Sequence, residues 1–281
     1  MTARWFLLLS LALALPAPAQ TLDKIRKAGT ITLGYIDGAA PFSYADANGE
    51  PRGYSVDLCR AVAAGVAGEL QRPNLKTRWV KLTVQNRIDA VRKRQVDVEC
   101  STTTWTLARQ RLVDFSLVTF VDGGSILTKA QDETLRRLSD FRDRRIAVLR
   151  GTTTEKALRD ALSGAMVQAE MVLISTRDEG LQLLREGKVD GFASDRTTLI
   201  GVVTRRAAGD AFRLLEADFS IEQYALMLPR NDADFRLAVN RTLARLYRSA
   251  EIEEIYERWM GALGPPSLLL SATYFIQRLA E

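Results

Sequence analysis

Residues 96–111, VDVECSTTTWTLARQR, run from an alternating apolar stretch through four consecutive hydroxyl residues, Ser101 to Thr104, into a segment that carries Arg109. The alternation makes 96–100 a strand, and the hydroxyls make a turn able to cap a following helix. A strand that delivers such a turn to a helix N-terminus belongs to an α/β sheet, where ligands sit beyond the carboxyl ends of the strands. Arg109, one turn into the helix, offers a planar two-pronged donor suited to a carboxylate. N-cap hydroxyls followed by a solvated arginine are the alternative reading of the same residues.

The pattern extends in both directions. TITLGYI (30–36) is a strand, and SVDLCRAVAAGVAGEL (55–70) is a helix because Leu58, Cys59, Val62, Val66 and Leu70 recur at three- and four-residue spacing. TRWVKLT is a strand, VQNRIDAVRKR a helix, TLARQRL a short helix and VDFSLVTF a further strand. After the DGG at 122–124 the order restarts with RRIAVLRG, TTEKALRDALS, AEMVLIS, RDEGLQLLREG, VDGFASD and RTTLIGVVTRR, alternately strand and helix. This βαβ grammar implies an α/β fold with mainly parallel strands and two Rossmann-like lobes. A third part from Phe212 lacks a full set of strands and is expected to return to the first lobe. The organisation expected is therefore a leader at 1–19, lobe 1 at 20–121, lobe 2 at 122–215, and a return segment of lobe 1 at 216–281. Two crossings, near 120–124 and 215–221, form a two-segment hinge. Pro265-Pro266 end the last core helix, and the tail SLLLSATYFIQRLAE is too short to span a membrane and is expected to dock as a terminal helix.

The chain has 281 residues, 47% of them hydrophobic, enough for two ordinary domains. Its first twenty residues carry one arginine, an apolar run from Trp5 to Leu15, and Ala17-Pro18-Ala19, the layout of a secretory signal cleaved after Ala19. The formal charge of +5 is spread in short patches rather than in an aromatic-interleaved stripe, which argues against nucleic-acid binding. The absence of histidine excludes a Ser-His pair and a Cys/His metal site, and no cofactor or metal is expected. Cys59 and Cys100 are either a disulfide of an oxidising compartment or two buried apolar residues.

A second hydroxyl turn lies in VLRGTTTEKAL (148–158), where Thr152 begins a capping box with Glu155 and can also offer donors to a ligand. Asp195 ends a strand on the same edge and suits a ligand ammonium or the cap of the next helix. Arg87 lies at a helix start, where the dipole disfavours a cation, so a partner is expected for it.

Taken in order, the blocks APFSYAD, GYSVDLC, TVQNRIDAV, VDVECSTTTWTLARQR, RGTTTE, FASDRTTLIG and EQYALMLPRND resemble the family-3 extracellular solute-binding proteins that serve polar amino-acid ABC importers, and most nearly their glutamate/aspartate branch. The resemblance implies a type II periplasmic binding protein fold that closes on one amino acid, a monomer in the periplasm, and a membrane permease as partner. It implies Arg109 on the α-carboxylate with Thr104 and the Thr152 turn, Thr102 on the pocket wall, and Asp195 on the ammonium. Arg87 is retained where that branch holds a side-chain carboxylate. Ile36 replaces a second basic residue, Glu179 replaces a frequent histidine, Val84 replaces a serine, and Trp105 is bulkier than usual. Glutamate or aspartate is the first expectation and glutamine or asparagine the next. An enzyme of dehydratase type on the same fold is the alternative, with Glu179 as its acid.

Overall fold

In a computed structural model, which describes residues 21–205 and 211–280, β1 (Thr30–Ile36) is buried along nearly its whole length, as a central parallel strand is. The expected leader at 1–19 lies outside the described residues. β1 runs parallel to β4 (Lys76–Leu82) and β5 (Val98–Glu99), with the two-stranded ribbon of β2 (Tyr44–Ala45) and β3 (Pro51–Arg52), α2 (Tyr54–Glu69) and α3 (Arg87–Arg92) in the connections. Strand β5 is shorter than the sequence suggests because Asp97 turns its carboxylate to the Thr32 N–H at 2.8 Å and to Lys24. The expected helix at 106–112 is one turn only, α4 (Leu107–Gln110).

The centre of the sheet departs most from expectation. β6 (Asp114–Lys129) is a single strand of 16 residues that passes through the DGG without a break. Along its first part it pairs antiparallel with β11 (Ser220–Leu228), and along its last part with β9 (Gly191–Asp195) and β10 (Phe212–Leu214). With β7 (Arg145–Leu149) and β8 (Glu170–Ile174) this makes one nine-stranded sheet of order β4-β1-β5-β11-β6-β9-β7-β8, with β10 beside β6. The flanks are parallel, as the βαβ grammar requires, and the middle is antiparallel. The two glycines of the DGG are needed for close approach rather than for a turn: a Cβ at Gly123 would lie 2.2 Å from Asp218 Oδ2, and one at Gly124 2.5 Å from Ser220 Oγ.

Helices cover both flanks. On the first, α2 packs with α8 (Ala233–Arg248) and α9 (Glu251–Met260) around Leu33, Leu58, Val62, Val239 and Leu243, and Ile36, Leu82 and Met227 form a second core. On the other, α5 (Thr153–Gly164), α6 (Arg177–Arg185) and α7 (Arg196–Arg205) enclose one core with Leu181, Phe192 and Leu199 and another with Ile126, Val148 and Leu158. Full burial of aliphatic side chains of this size contributes about 1.5–3 kcal/mol each, the main source of stability here. The chain start is tied to the return segment: in α1 (Thr21–Ala28) the Thr21 N–H and hydroxyl donate to Asp232 at 2.8 and 2.6 Å.

Cys59 and Cys100 are bonded, with Cα atoms 6.1 Å apart, so of the two readings of these residues the disulfide holds. α10 (Leu268–Ile276) docks by Leu270 and Tyr274. The Tyr274 hydroxyl lies 2.5 Å from that of Tyr54, and Gln277 brackets Val118 of β6 by accepting from its N–H and donating to its carbonyl. Among the described residues no helix is long and apolar enough to cross a membrane.

Candidate functional site

Where β5 ends, Cys100 is bonded to α2 and the chain turns through Ser101–Thr104, all four of them buried. The Thr106 hydroxyl caps the single turn of α4 by accepting from the Arg109 N–H, which orients Arg109 back toward the turn. There its guanidinium is nine-tenths buried and donates to the Thr104 carbonyl at 2.7 Å. Burial pushes the Arg109 pKa down, opposed by the charges of Glu99, Glu222 and Asp195. A buried cation whose one protein bond goes to a neutral carbonyl retains donors for an anion.

The second hydroxyl turn faces the first. Thr152 caps α5 by accepting from the Glu155 N–H while Glu155 accepts from the Gly151 N–H, so Thr152 itself is occupied as a cap. Its neighbours reach inward: Thr153 Oγ1 lies 2.9 Å from Thr104 Oγ1, and both hydroxyls donate to Glu222 Oε2, at 2.8 and 2.7 Å. Glu222, on β11, therefore joins the two turns; burial and Asp195 push its pKa up. On the same side α7 approaches the Ala40 loop so closely that a Cβ at Gly201 would sit 2.2 Å from the Ala40 carbonyl oxygen.

Asp195 ends β9 opposite Gly124, is 5% exposed, and accepts from the Thr154 hydroxyl at 2.8 Å. It does not cap the helix that follows it. Asp122 does so instead, accepting from the Thr197 N–H and hydroxyl, and its pKa is pushed up to about 7 by burial and by Asp195. Asp195, whose hydrogen-bond neighbours are the hydroxyls of Thr154 and Tyr224, forms no ion pair within the described residues and can take a cation.

Arg87, the first residue of α3, is 3% exposed, and its Nε has no hydrogen-bond partner among the described residues. Its pKa is pushed down to about 10 by burial and by Arg109 and Arg177, with Glu99 and Asp195 opposing. Arg177, which sequence reasoning passes over, is the first residue of α6, 7% exposed, and likewise has an unpartnered Nε. Thr102 is buried at 5% exposure in the first turn. Ile36 is buried and, with Val84, Leu82, Leu149 and Arg177, lines a cleft of about 530 Å³. Two proposed pocket residues are not brought into this cluster. Trp105 is 40% exposed, because its backbone N–H pairs with the Gln223 carbonyl and Thr104, one residue earlier, takes the inward position. Glu179 is exposed and accepts from the Ser175 N–H, closing a capping box with Thr176 at the start of α6. Among the described residues no cluster of three or more His, Cys, Asp or Glu side chains could hold a metal ion.

Comparisons with known proteins give the family and the fold. Residues 31–262 match the family described as bacterial extracellular solute-binding proteins, family 3. The chain is 34% identical over 249 residues to an L-glutamate/L-aspartate-binding protein of Pseudomonas aeruginosa, covering 88% of this chain and 82% of that one. It is 32% identical to a glutamate/aspartate import solute-binding protein of Escherichia coli strain K12, covering 91% and 84%. Among solved structures it superimposes on an ancestral amino acid-binding protein, a precursor of cyclohexadienyl dehydratase, with a TM-score of 0.74 at 26% identity, over 86% of this chain and 99% of that one.

Proposed function

We propose, from the premise that the chain belongs to the bacterial extracellular solute-binding proteins of family 3, that it is the periplasmic binding subunit of an ABC importer for a polar amino acid. Glutamate or aspartate is the first ligand in this reading and glutamine or asparagine the next, in keeping with the names of its relatives. Residues 20–121 and 216–281 act as one lobe and 122–215 as the other, with the crossings near 120–124 and 215–221 as the hinge. The protein works as a monomer, and its closed form is read by the membrane permease.

The observation that carries the reading is a pair of opposite charges held for a guest: Arg109 at the first hydroxyl turn and Asp195 at the end of β9, both buried and neither in an ion pair within the described residues. An α-amino acid presents a carboxylate and an ammonium on one carbon. Arg109 with Thr104 and the α5 turn, begun by Thr152 and continued by Thr153, receives the carboxylate. Asp195 receives the ammonium, Thr102 forms the wall, and Arg87 with Ile36 faces the side chain. In this reading the set captures and releases its ligand unchanged. Glu179, the acid a dehydratase-type enzyme would have used, faces outward.

A thermal-shift screen of the common amino acids tests the reading. A true ligand at about a hundred times its dissociation constant stabilises the folded form by about 2.7 kcal/mol, a shift of several degrees. Arg109→Ala and Asp195→Ala each remove that shift and leave the unliganded protein folded, because each leaves a charge of the ligand unpaired in a closed cleft. A screen in which no amino acid moves the transition refutes the proposal.

A further inference from the structure

Arg87 and Arg177 occupy the same place in two successive units of the chain. In the first unit β4 leads through a short loop into α3, whose first residue is Arg87; in the second β8 leads into α6, whose first residue is Arg177. Every local term opposes this placement. A cation at a helix N-terminus faces the positive end of the dipole. Both side chains are more than nine-tenths buried, both have an Nε with no hydrogen-bond partner, and neither forms an ion pair within the described residues. They also repel one another: the charge of Arg177 adds to burial and Arg109 in lowering the proton affinity of Arg87. Two buried guanidinium groups that feel the charges of Glu99 and Asp195 but form no ion pair within the described residues retain donors for an anion.

We propose that Arg177 is a specificity residue that meets the side-chain carboxylate of the ligand from the second unit while Arg87 holds it from the first, so that this protein selects a dicarboxylic amino acid over its amide. This rests on the amino-acid reading above and sharpens it. The selection follows from donor counting. A guanidinium has N–H donors and no acceptor, whereas a side-chain amide presents an NH₂ group that needs acceptors. Between two guanidinium groups a carboxylate satisfies both, and an amide must turn its NH₂ against one of them. Ile36, Leu82 and Val84 make part of the wall beside Arg177 apolar, and two carboxylates of the same cleft, Asp37 and Asp46, are already engaged by Lys81 and Arg52. Ile36, where the resemblance leads one to expect a second basic residue, has no charge to contribute, and Arg177 supplies that charge from the opposite side. The acids that act on the pair are Asp195, which the ligand ammonium engages in this reading, and Glu99, whose buried Oε1 has no partner among the described residues and is the competing acceptor on the Arg87 flank.

Titration calorimetry of the wild-type protein, Arg177→Gln and Arg177→Lys with L-glutamate, L-aspartate, L-glutamine and L-asparagine decides the matter. The wild-type protein prefers the better acid to its amide by about tenfold or more. Arg177→Gln weakens the acid by about tenfold or more and changes the amide by less than about threefold, so the ratio collapses, and Arg177→Lys restores part of it. Thermal unfolding of the unliganded variants confirms that they are folded, and the lysine variant serves if the glutamine one is not. A wild-type preference for the amide, which would make Glu99 the reader of the side chain, overturns the inference. So does an Arg177→Gln variant that weakens acid and amide equally, or neither. A wild-type protein that binds other amino acids but none of these four sinks this inference and leaves the amino-acid reading standing, whereas one that binds no amino acid at all sinks both.

Discussion

Removing the disulfide should cost this protein much of its stability and little of its ligand affinity. The bond joins Cys59 of α2 to Cys100 at the end of β5 across 41 residues, and both side chains are fully buried. Closing a loop of that length in the unfolded chain removes conformational entropy equivalent to about 4 kcal/mol at 25 °C. Set against a total stability of roughly 5–15 kcal/mol, this is a large share. The double variant Cys59→Ala/Cys100→Ala therefore unfolds at a lower urea concentration than the oxidised wild-type protein. With a denaturant dependence near 3 kcal/mol per molar, the midpoint falls by about 1.3 M, read by far-ultraviolet circular dichroism. The wild-type protein with reductant present throughout should fall by a similar amount. Cys100 directly precedes the Ser101–Thr104 turn, yet that turn is also held by the backbone bonds from Cys100 to Gly34 and from Ala225 to Thr103 and by the Thr103 hydroxyl on Glu99. Ligand affinity at a temperature where the variant is folded should accordingly stay within about threefold of wild type. A midpoint shift below about 0.3 M would refute the loop-closure argument, and lost affinity with an unchanged midpoint would show that the bond shapes the turn rather than restraining the unfolded chain.

Asp122 makes the unliganded protein less stable as pH rises. Its pKa is pushed up to about 7 in the folded state from 3.8, so the folded form holds the proton more tightly; the contribution is fully present below pH 4 and is lost as pH rises through 7. The loss is at most about 4 kcal/mol. Asp122→Asn should flatten that part of the stability curve between pH 4 and 8, as followed by thermal unfolding. The docked C-terminus is testable in the same way. Tyr274→Phe and Gln277→Ala each remove bonds to Tyr54 or Val118 and should each lower stability by about 1–2 kcal/mol in urea unfolding.

Short-range signals carried most of what the sequence revealed. The three- and four-residue spacing in α2 and the strand–turn–helix order at 96–111 are local, and the structure has them where the pattern puts them. Long-range pairing was hidden. The DGG reads as a break, but β6 continues through it because β11, β9 and β10 supply partners from 65 to 114 residues away, and such pairing overrides local propensity. The cap of α7 is equally illegible, because Asp122 reaches Thr197 across 75 residues. Other features could have been seen. The spacing of Thr176 and Glu179 is that of a capping box, which already places the Glu179 carboxylate on its own helix start. The dipole argument that singles out Arg87 applies equally to Arg177. Which of three consecutive threonines faces inward, by contrast, depends on the residue at which α5 begins, and a one-residue change in that start turns every following side chain by about 100°.

The bonds from Thr21 to Asp232 also bear on how the molecule is made. The ribosome delivers the chain from its N-terminus, and β1, α2 and β4 are among the first elements to appear. Yet their core includes Tyr224, Leu226, Val239, Leu243 and Tyr247, residues supplied by the last quarter of the chain. A nascent polypeptide that has reached β9 has its first strands in hand and no surface on which to bury them. It has to wait, loosely collapsed, until translation is almost finished. For a member of an extracellular family that delay is an advantage, because a chain whose two ends must meet before it can fold stays unfolded for longer, and only an unfolded chain can thread a narrow membrane pore.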